Sequence, residues 1–216
     1  MKKLLGLLFC ALVVFTSCDG SINITTYVQD LLELKTSKEP LYTTATIVSQ
    51  GITKPEEVDY LKRLFPSMTN EHTVKVGYSD AYSFDIKVPI IAEDTEITPD
   101  MQDVLLALVV RKSDSGYIVS CHYNQAKINE IKDWVYNTYY QKFDLKEYKL
   151  SISVVNDSRN DFNFKSNSVY VEDMAYPFDF TTTLSKRESV LLNVSEVMNS
   201  AMITNSETIY PLIEYK

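Results

Sequence analysis

Two histidines, three cysteines and a scatter of acids are the residues of this chain with the reach for covalent or metal chemistry. His72 and His122 lie fifty residues apart, and neither stands in HExxH or comparable ligand spacing. Cys121 and His122 are the one thiol–imidazole pair adjacent in sequence. Consecutive side chains in a strand point to opposite faces, so this pair reads as a buried cysteine and a surface histidine. No serine sits in a G-x-S-x-G elbow, and five glycines in 216 residues leave no loop to cradle a phosphate or a dinucleotide. A Ser-His-Asp or Cys-His set that meets only in the fold stays open. Residues 156–161 carry oxygens suited to calcium, but Arg159 occupies the third position of the pattern, and a solvated turn is expected. The acidic runs at Glu93-Asp94-Thr95-Glu96 and Glu172-Asp173 lack the apolar flanks that would raise one carboxyl for acid–base work. The expectation is a protein that is not an enzyme and holds no cofactor and no metal.

Cys18 has a different chemistry. The first residues, MKKLLGLLFCALVVFTSC, place Lys2 and Lys3 before an apolar stretch from Leu4 to Phe15 broken by Gly6. A dozen residues suit the core of an export signal and fall short of the ~20 needed to span a bilayer. The small Ser17 then precedes Cys18. Val14-Phe15-Thr16-Ser17-Cys18 resembles a bacterial lipobox, with Phe15 bulkier than the usual aliphatic residue there. That resemblance implies diacylglyceryl transfer to the Cys18 thiol, cleavage between Ser17 and Cys18, and a membrane partner held through lipid. Several acyl chains together anchor durably where one alone is marginal. The expected location is lipid-anchored, facing the periplasm or the cell exterior. Asp19 resembles the inner-membrane retention signal of enteric-type lipoproteins, and inner against outer membrane is left open.

The rest of the composition narrows the partners. Cys10 departs with the signal and Cys18 is taken by lipid, so Cys121 remains alone and no internal disulfide can form. The 199 residues after the signal must hold their fold by core packing. Losing Lys2 and Lys3 moves the formal charge from −8 to −10, and no Lys/Arg cluster exceeds a pair such as Arg111-Lys112 or Lys186-Arg187. Nucleic acid is therefore excluded as a partner, and a basic patch is not what holds the chain to anionic lipid.

Stepping along the chain, residues 21–25 and 41–49 alternate as strands, and two pairs, Thr26/Gln29 and Thr53/Glu56, have capping-box spacing before helical patterns. Residues 72–76 and 82–91 read as strands around a turn at 77–80, with Pro89 arguing for an edge. Residues 93–103 read as a surface loop, and 104–110 and 117–123 as a hairpin around Ser113-Asp114-Ser115-Gly116. Asn124 is placed to cap a helix with Ile128, Ile131, Val135 and Tyr139 on one face and Trp134 beside them. Strands follow at 148–155, 161–171, 187–194 and 208–215, with a short helix at 195–203. The fold class expected is α+β, an antiparallel-leaning sheet with three or four helices and a β-rich C-terminal third. The division expected is a signal over 1–17, an α+β domain over 18–146, and a β-rich region over 147–216 that could form a small domain of its own.

The segment Asp173-Met174-Ala175-Tyr176-Pro177-Phe178-Asp179-Phe180 sets aromatics between acids. Tyr176, Phe178 and Phe180 are candidates for a docking loop, with strand packing as the competing reading. CDGSINITTYVQDLLEL at the start, and TTTLSKRESVLLNVSEVMNSAM before a final apolar strand, resemble small lipoproteins of unknown function encoded by phages and prophages. That resemblance implies a role in modifying the host envelope, such as excluding a second phage, and carries over no catalytic residue. The functional expectation is a membrane-tethered binding module with an envelope protein as partner. The alternatives are an envelope hydrolase acting on wall or lipid material, or a structural lipoprotein without a discrete ligand.

Overall fold

In a computed structural model, residues 20–52, 54–95, 101, 104–205 and 208–216 are described. The lipidation and cleavage residues Ser17 and Cys18 lie outside them. Elements follow in the order β1 (Gly20–Tyr27), α1 (Val28–Glu33), β2 (Leu41–Gln50), α2 (Pro55–Leu64), β3 (Thr69–Val76), β4 (Ser79–Ala92), β5 (Leu106–Ser113) and β6 (Gly116–Tyr123). Then come α3 (Gln125–Tyr139), a 3-10 turn (Leu145–Glu147), β7 (Tyr148–Val155), β8 (Phe162–Ser166), β9 (Val169–Val171) and β10 (Met174–Tyr176). The chain ends through β11 (Phe180–Leu184), β12 (Ser189–Val194), α4 (Glu196–Thr204) and β13 (Ile213–Tyr215).

The expected α+β class is overturned. The chain is mostly β, 48% strand against 24% helix, and its strands form one mixed sheet that curls into a nearly closed barrel of twelve. Its order is β10-β9-β12-β7-β1-β2-β4-β5-β6-β13-β8-β11, with β3 attached to β4. The pairs β1–β7 and β4–β5 are parallel. The two ends of the order, β10 and β11, meet through the link 177–179, where the Tyr176 and Phe180 rings pack 4.8 Å apart. Four helices of 6 to 15 residues stand between the strands, and the sheet covers much of its apolar face by curling over it. β10 lies inside the 173–180 segment, where strand packing is the reading set against a docking loop, and β11 begins at its end.

Strand registers make the inner face a stack of rungs. Leu150, Ile22, Ile47 and Phe84 stand side by side across β7, β1, β2 and β4. Ile152, Ile24, Ala45 and Ile86 form the next rung. All eight are buried, and the alternate residues Asn23, Thr44, Asp85 and Ser153 turn outward, the pattern of a sheet with one wet face. Pro89, expected to mark an edge, lies in a strand paired on both sides. On one side it faces Tyr42; on the other it falls between β3, whose pairing stops at Asp85, and β5, whose pairing starts at Ile90. Two residues earlier, the Lys87 N–H on that open side finds Ser67 Oγ at 3.2 Å. A proline at 89 has no such donor to satisfy.

Helix starts also differ from expectation. Thr26 remains in β1, and α1 begins after Tyr27 with its first-turn Gln29 N–H donating to Asp157 Oδ1 at 2.9 Å, from the turn after β7. Pro55 opens α2, which makes Lys54 the N-cap and Glu57 the N3 residue in place of the Thr53/Glu56 pairing. Asn124 caps α3 as expected, accepting from the N–H groups of Ala126 and Lys127.

Candidate functional site

The barrel rim where β1 begins is the place where the core opens. Gly20, Ser49 and Tyr148 stand abreast there. A Cβ on Gly20 would lie 2.2 Å from the Tyr148 ring, so the bare glycine lets that ring lie across β1. Tyr148 thereby reaches Ser49, hydroxyl to hydroxyl at 2.6 Å, and Phe143 flanks its ring at 5.7 Å.

Behind this rung is a cavity of about 210 Å³. Its floor is Ile22, Ile47 and Phe84, and its walls are Leu61 of α2, Phe65 at the end of that helix, and Ile131, Val135 and Trp134 of α3. Its mouth runs from Gln50, Gly51 and Ile52 to Gln141 and Phe143. Helical spacing in α3 puts Ile131, Val135 and Tyr139 on the cavity side, and Trp134 stacks on Tyr60 at 4.1 Å with the rings 5° from parallel.

One carboxylate enters this apolar wall. Glu57 is 4% exposed; its Oε2 accepts the Lys54 backbone N–H at 2.8 Å, and its Oε1 accepts a short hydrogen bond from the Tyr139 hydroxyl. Burial, and then the bond and charge of Glu57, push the Tyr139 phenol well above its ordinary pKa. The Lys54 ammonium sits 5.5 Å over the Tyr139 ring. Chemically this is an apolar pocket with a hydrogen-bonding rim. Both Glu57 oxygens accept a hydrogen bond, so the carboxylate is held in one orientation by Lys54 and Tyr139.

The residues singled out from sequence disperse. Tyr176 and Phe180 are half-buried against each other, and Phe178 between them is 81% exposed. Cys121 is buried on β6, where loss of water pushes its thiol up to about 12, and His122 turns to the other face with Nε2 2.9 Å from Ser120 Oγ. The 156–161 stretch is a turn, but not a solvated one at its start. Asn156 is fully buried and gives its amide to the carbonyls of Asn160 (2.9 Å) and Leu184 (2.7 Å), while its Oδ1 accepts from the Ser158 hydroxyl at 2.7 Å. Glu93 pairs with Arg111 at 3.0 Å, and Asp94 pairs with Lys38. Among the described residues no group of three or more His, Cys, Asp or Glu converges as a metal site, and no helix is long and apolar enough to cross a membrane.

Sequence reasoning missed Glu57. The available signal was Pro55: proline favours the first helical position, which puts the third at Glu57 and not Glu56.

Over residues 20–215 the chain matches a family described as a domain of unknown function (DUF7424). The chain belongs to that family. The match takes in β1 through β13, so the cavity and its rim are both within the family's domain. No curated protein and no solved structure matches the chain.

Proposed function

We propose that this protein is a lipid-anchored binding module of the bacterial envelope, and that its ligand site is the apolar cavity between α2 and α3. The observation that carries the reading is the cavity itself, a mostly apolar space with a few polar groups, the Glu57–Tyr139 pair in its wall and Ser49, Gln50, Gln141 and Tyr148 elsewhere in its lining. Small-molecule sites have this composition, mostly apolar walls with a few placed polar groups that orient the ligand. Its size suits an acyl segment or a single ring. The lipobox-like start supplies the anchor at Cys18, and the resemblance to prophage lipoproteins supplies a setting in which binding would alter the host envelope. A hydrolase reading is less well supported, because Glu57 is tied to Tyr139 and Lys54.

Trp134 is the single tryptophan of the chain and lines the cavity, so its emission reports occupancy. Titration of the vesicle-bound protein with octanoate or benzyl alcohol is expected to shift that emission saturably. Ile131→Phe, which fills the cavity, should remove the shift. A linear, non-saturating response to both probes would reject the binding site. The anchor is tested separately: Cys18→Ala should abolish incorporation of an alkyne-labelled fatty acid.

A further inference from the structure

Strand registers show which surface surrounds the point where the chain enters the fold. Gly20 is level with Ser49 of β2, and Ser49 with Tyr82 of β4. The turn Gly77-Tyr78 therefore extends past Gly20 by the four residues from Tyr82 to Tyr78, roughly 13 Å of strand. Around the barrel the other way, Tyr176 is level with Val169, Val169 with Val194, and Asn193 with Ser151. With Leu150 paired to Ile22, that places Phe178 at the height of Gly20. The α4 start at Glu196 and Val197 follows β12 at the same rim, and a single depression there is lined by Gly20, Val76, Lys146 and Glu196. Gln141, at this same cavity mouth, directly follows Tyr140.

The most exposed large apolar side chains gather at this rim. Among the described residues, four large apolar side chains are more than four-fifths exposed: Tyr78, Tyr140, Phe178 and Val197. All four belong to turns or helix ends on the Gly20 side. Scattered exposed apolar residues need no explanation, whereas a set confined to one rim does. Charge at the rim is balanced, with Lys75, Lys146 and Lys149 beside Asp80, Glu147 and Glu196, although the chain as a whole is strongly acidic.

We infer that this rim lies against the bilayer, with the Tyr78 hairpin tip and Phe178 seated in the lipid headgroup region as a second membrane contact. The inference rests on the proposed lipid at Cys18. Only Asp19 stands between Cys18 and Gly20, two residue steps of at most ~7 Å, which is shorter than the hairpin overhang. Acyl chains on Cys18 then carry the hairpin tip to the interface with them. Tyrosine and phenylalanine suit that depth, where an aromatic ring meets both headgroup and acyl boundary. The cavity mouth faces the same way, so a lipid-derived ligand would reach it without crossing bulk water.

The test uses full-length lipidated protein in vesicles of phosphatidylethanolamine and phosphatidylglycerol. Tyr78→Cys is labelled with an environment-sensitive thiol fluorophore, and Arg159→Cys, exposed beyond the far end of β7, is the comparison. Buried Cys121 and acylated Cys18 do not compete for the label. Expected are a blue shift and several-fold stronger quenching by brominated lipid at position 78 than at 159. Equal, weak quenching at both sites with Cys18 acylated overturns the orientation and leaves the anchor standing. Shielding of position 78 from aqueous iodide without lipid quenching also overturns it, in favour of a protein partner. Absence of acylation at Cys18 overturns the anchor and this inference together.

Discussion

The hydroxyl of Tyr139, at the end of α3, donates to the carboxylate of Glu57 in the first turn of α2, across the wall of the cavity. That bond ties the two helices together beside two others, from Lys127 Nζ to the Leu64 carbonyl at 3.1 Å and from the Tyr60 hydroxyl to the Glu130 carbonyl at 3.5 Å, and it keeps a buried carboxylate supplied with a donor. Tyr139→Phe removes the donor and keeps the ring. A hydrogen bond to a charged group contributes roughly 1.5–3 kcal/mol. The expected result is a loss of that size in urea unfolding at pH 7. A change within error would mean that the bond does not hold the helices.

Local elements were legible because they depend on neighbours in sequence. The strands β1, β2, β6, β7 and β12 follow apolar alternation, and Asn124 and Ser195 announce the helices they cap. The fold class was not legible, because it depends on which strands pair. Nothing in Gly20–Tyr27 says that its parallel partner is Tyr148–Val155, more than a hundred residues later. The candidate site was hidden for the same reason. Glu57 and Tyr139 are 82 residues apart, and each alone reads as an ordinary helix residue. β10 and β11 are short and flank Pro177, a turn signal, so the residues alone leave strand packing and a docking loop as competing readings of the segment.

Gly116 closes one hairpin turn and Gly77 opens another, both with positive φ, +150° and +61°. Their surroundings are opposite. A Cβ on Gly116 would stand 2.2 Å from the Tyr215 carbonyl oxygen, and backbone cannot swing aside; around Gly77 there is open space. Gly116→Ala is expected to cost about 3 kcal/mol or more through clash and strain. Gly77→Ala should cost only the left-handed penalty, about 1–2 kcal/mol. Parallel thermal melts check the order, and equal losses would contradict it.

Asp30 is held in an unfavourable place. Partial burial first, then the charges of Asp157 and Glu33, raise its pKa above the ordinary 3.8. The folded protein thus binds this proton more tightly than the unfolded chain. The resulting stability is complete below about pH 4 and is lost as pH rises through the folded value. Asp30→Asn should therefore melt a degree or two higher at pH 7, a gain under about 1 kcal/mol at this half-exposed site. The gain should vanish near pH 3. A gain that persists there would place its cause elsewhere.

At high pH the tyrosines set the limit. Burial, then the bond to Glu71, pushes Tyr82 up to about 12; burial raises Tyr139 and Tyr215 further. Unfolded tyrosines lose their protons near 10, so between 10 and 12 the unfolded chain binds fewer protons than the folded one, and stability falls as pH rises. Tyrosinate absorbance from these residues should appear together with loss of the far-ultraviolet dichroism. Titration of all the tyrosines on a native baseline would show the three to be open to water.

Thr26 is the one described residue with a buried side-chain polar atom that has no hydrogen-bond partner. It sits on β1 facing Val154 of β7, fully buried, in a rung where its neighbours on the inner face are otherwise mostly aliphatic. Thr43, on the adjoining strand, solves the same problem by donating to the Thr25 carbonyl. Leaving a hydroxyl unpaired in such a place costs about 1–3 kcal/mol in measured proteins. Valine has the same branched shape and supplies a methyl where the hydroxyl stands. Thr26→Val is therefore expected to stabilise the fold by about 1 kcal/mol, a rise of a few degrees in Tm. Guanidinium unfolding should show a higher midpoint with an unchanged slope. A lower midpoint would mean that the Thr26 hydroxyl has a partner in solution, a buried water being the simplest one.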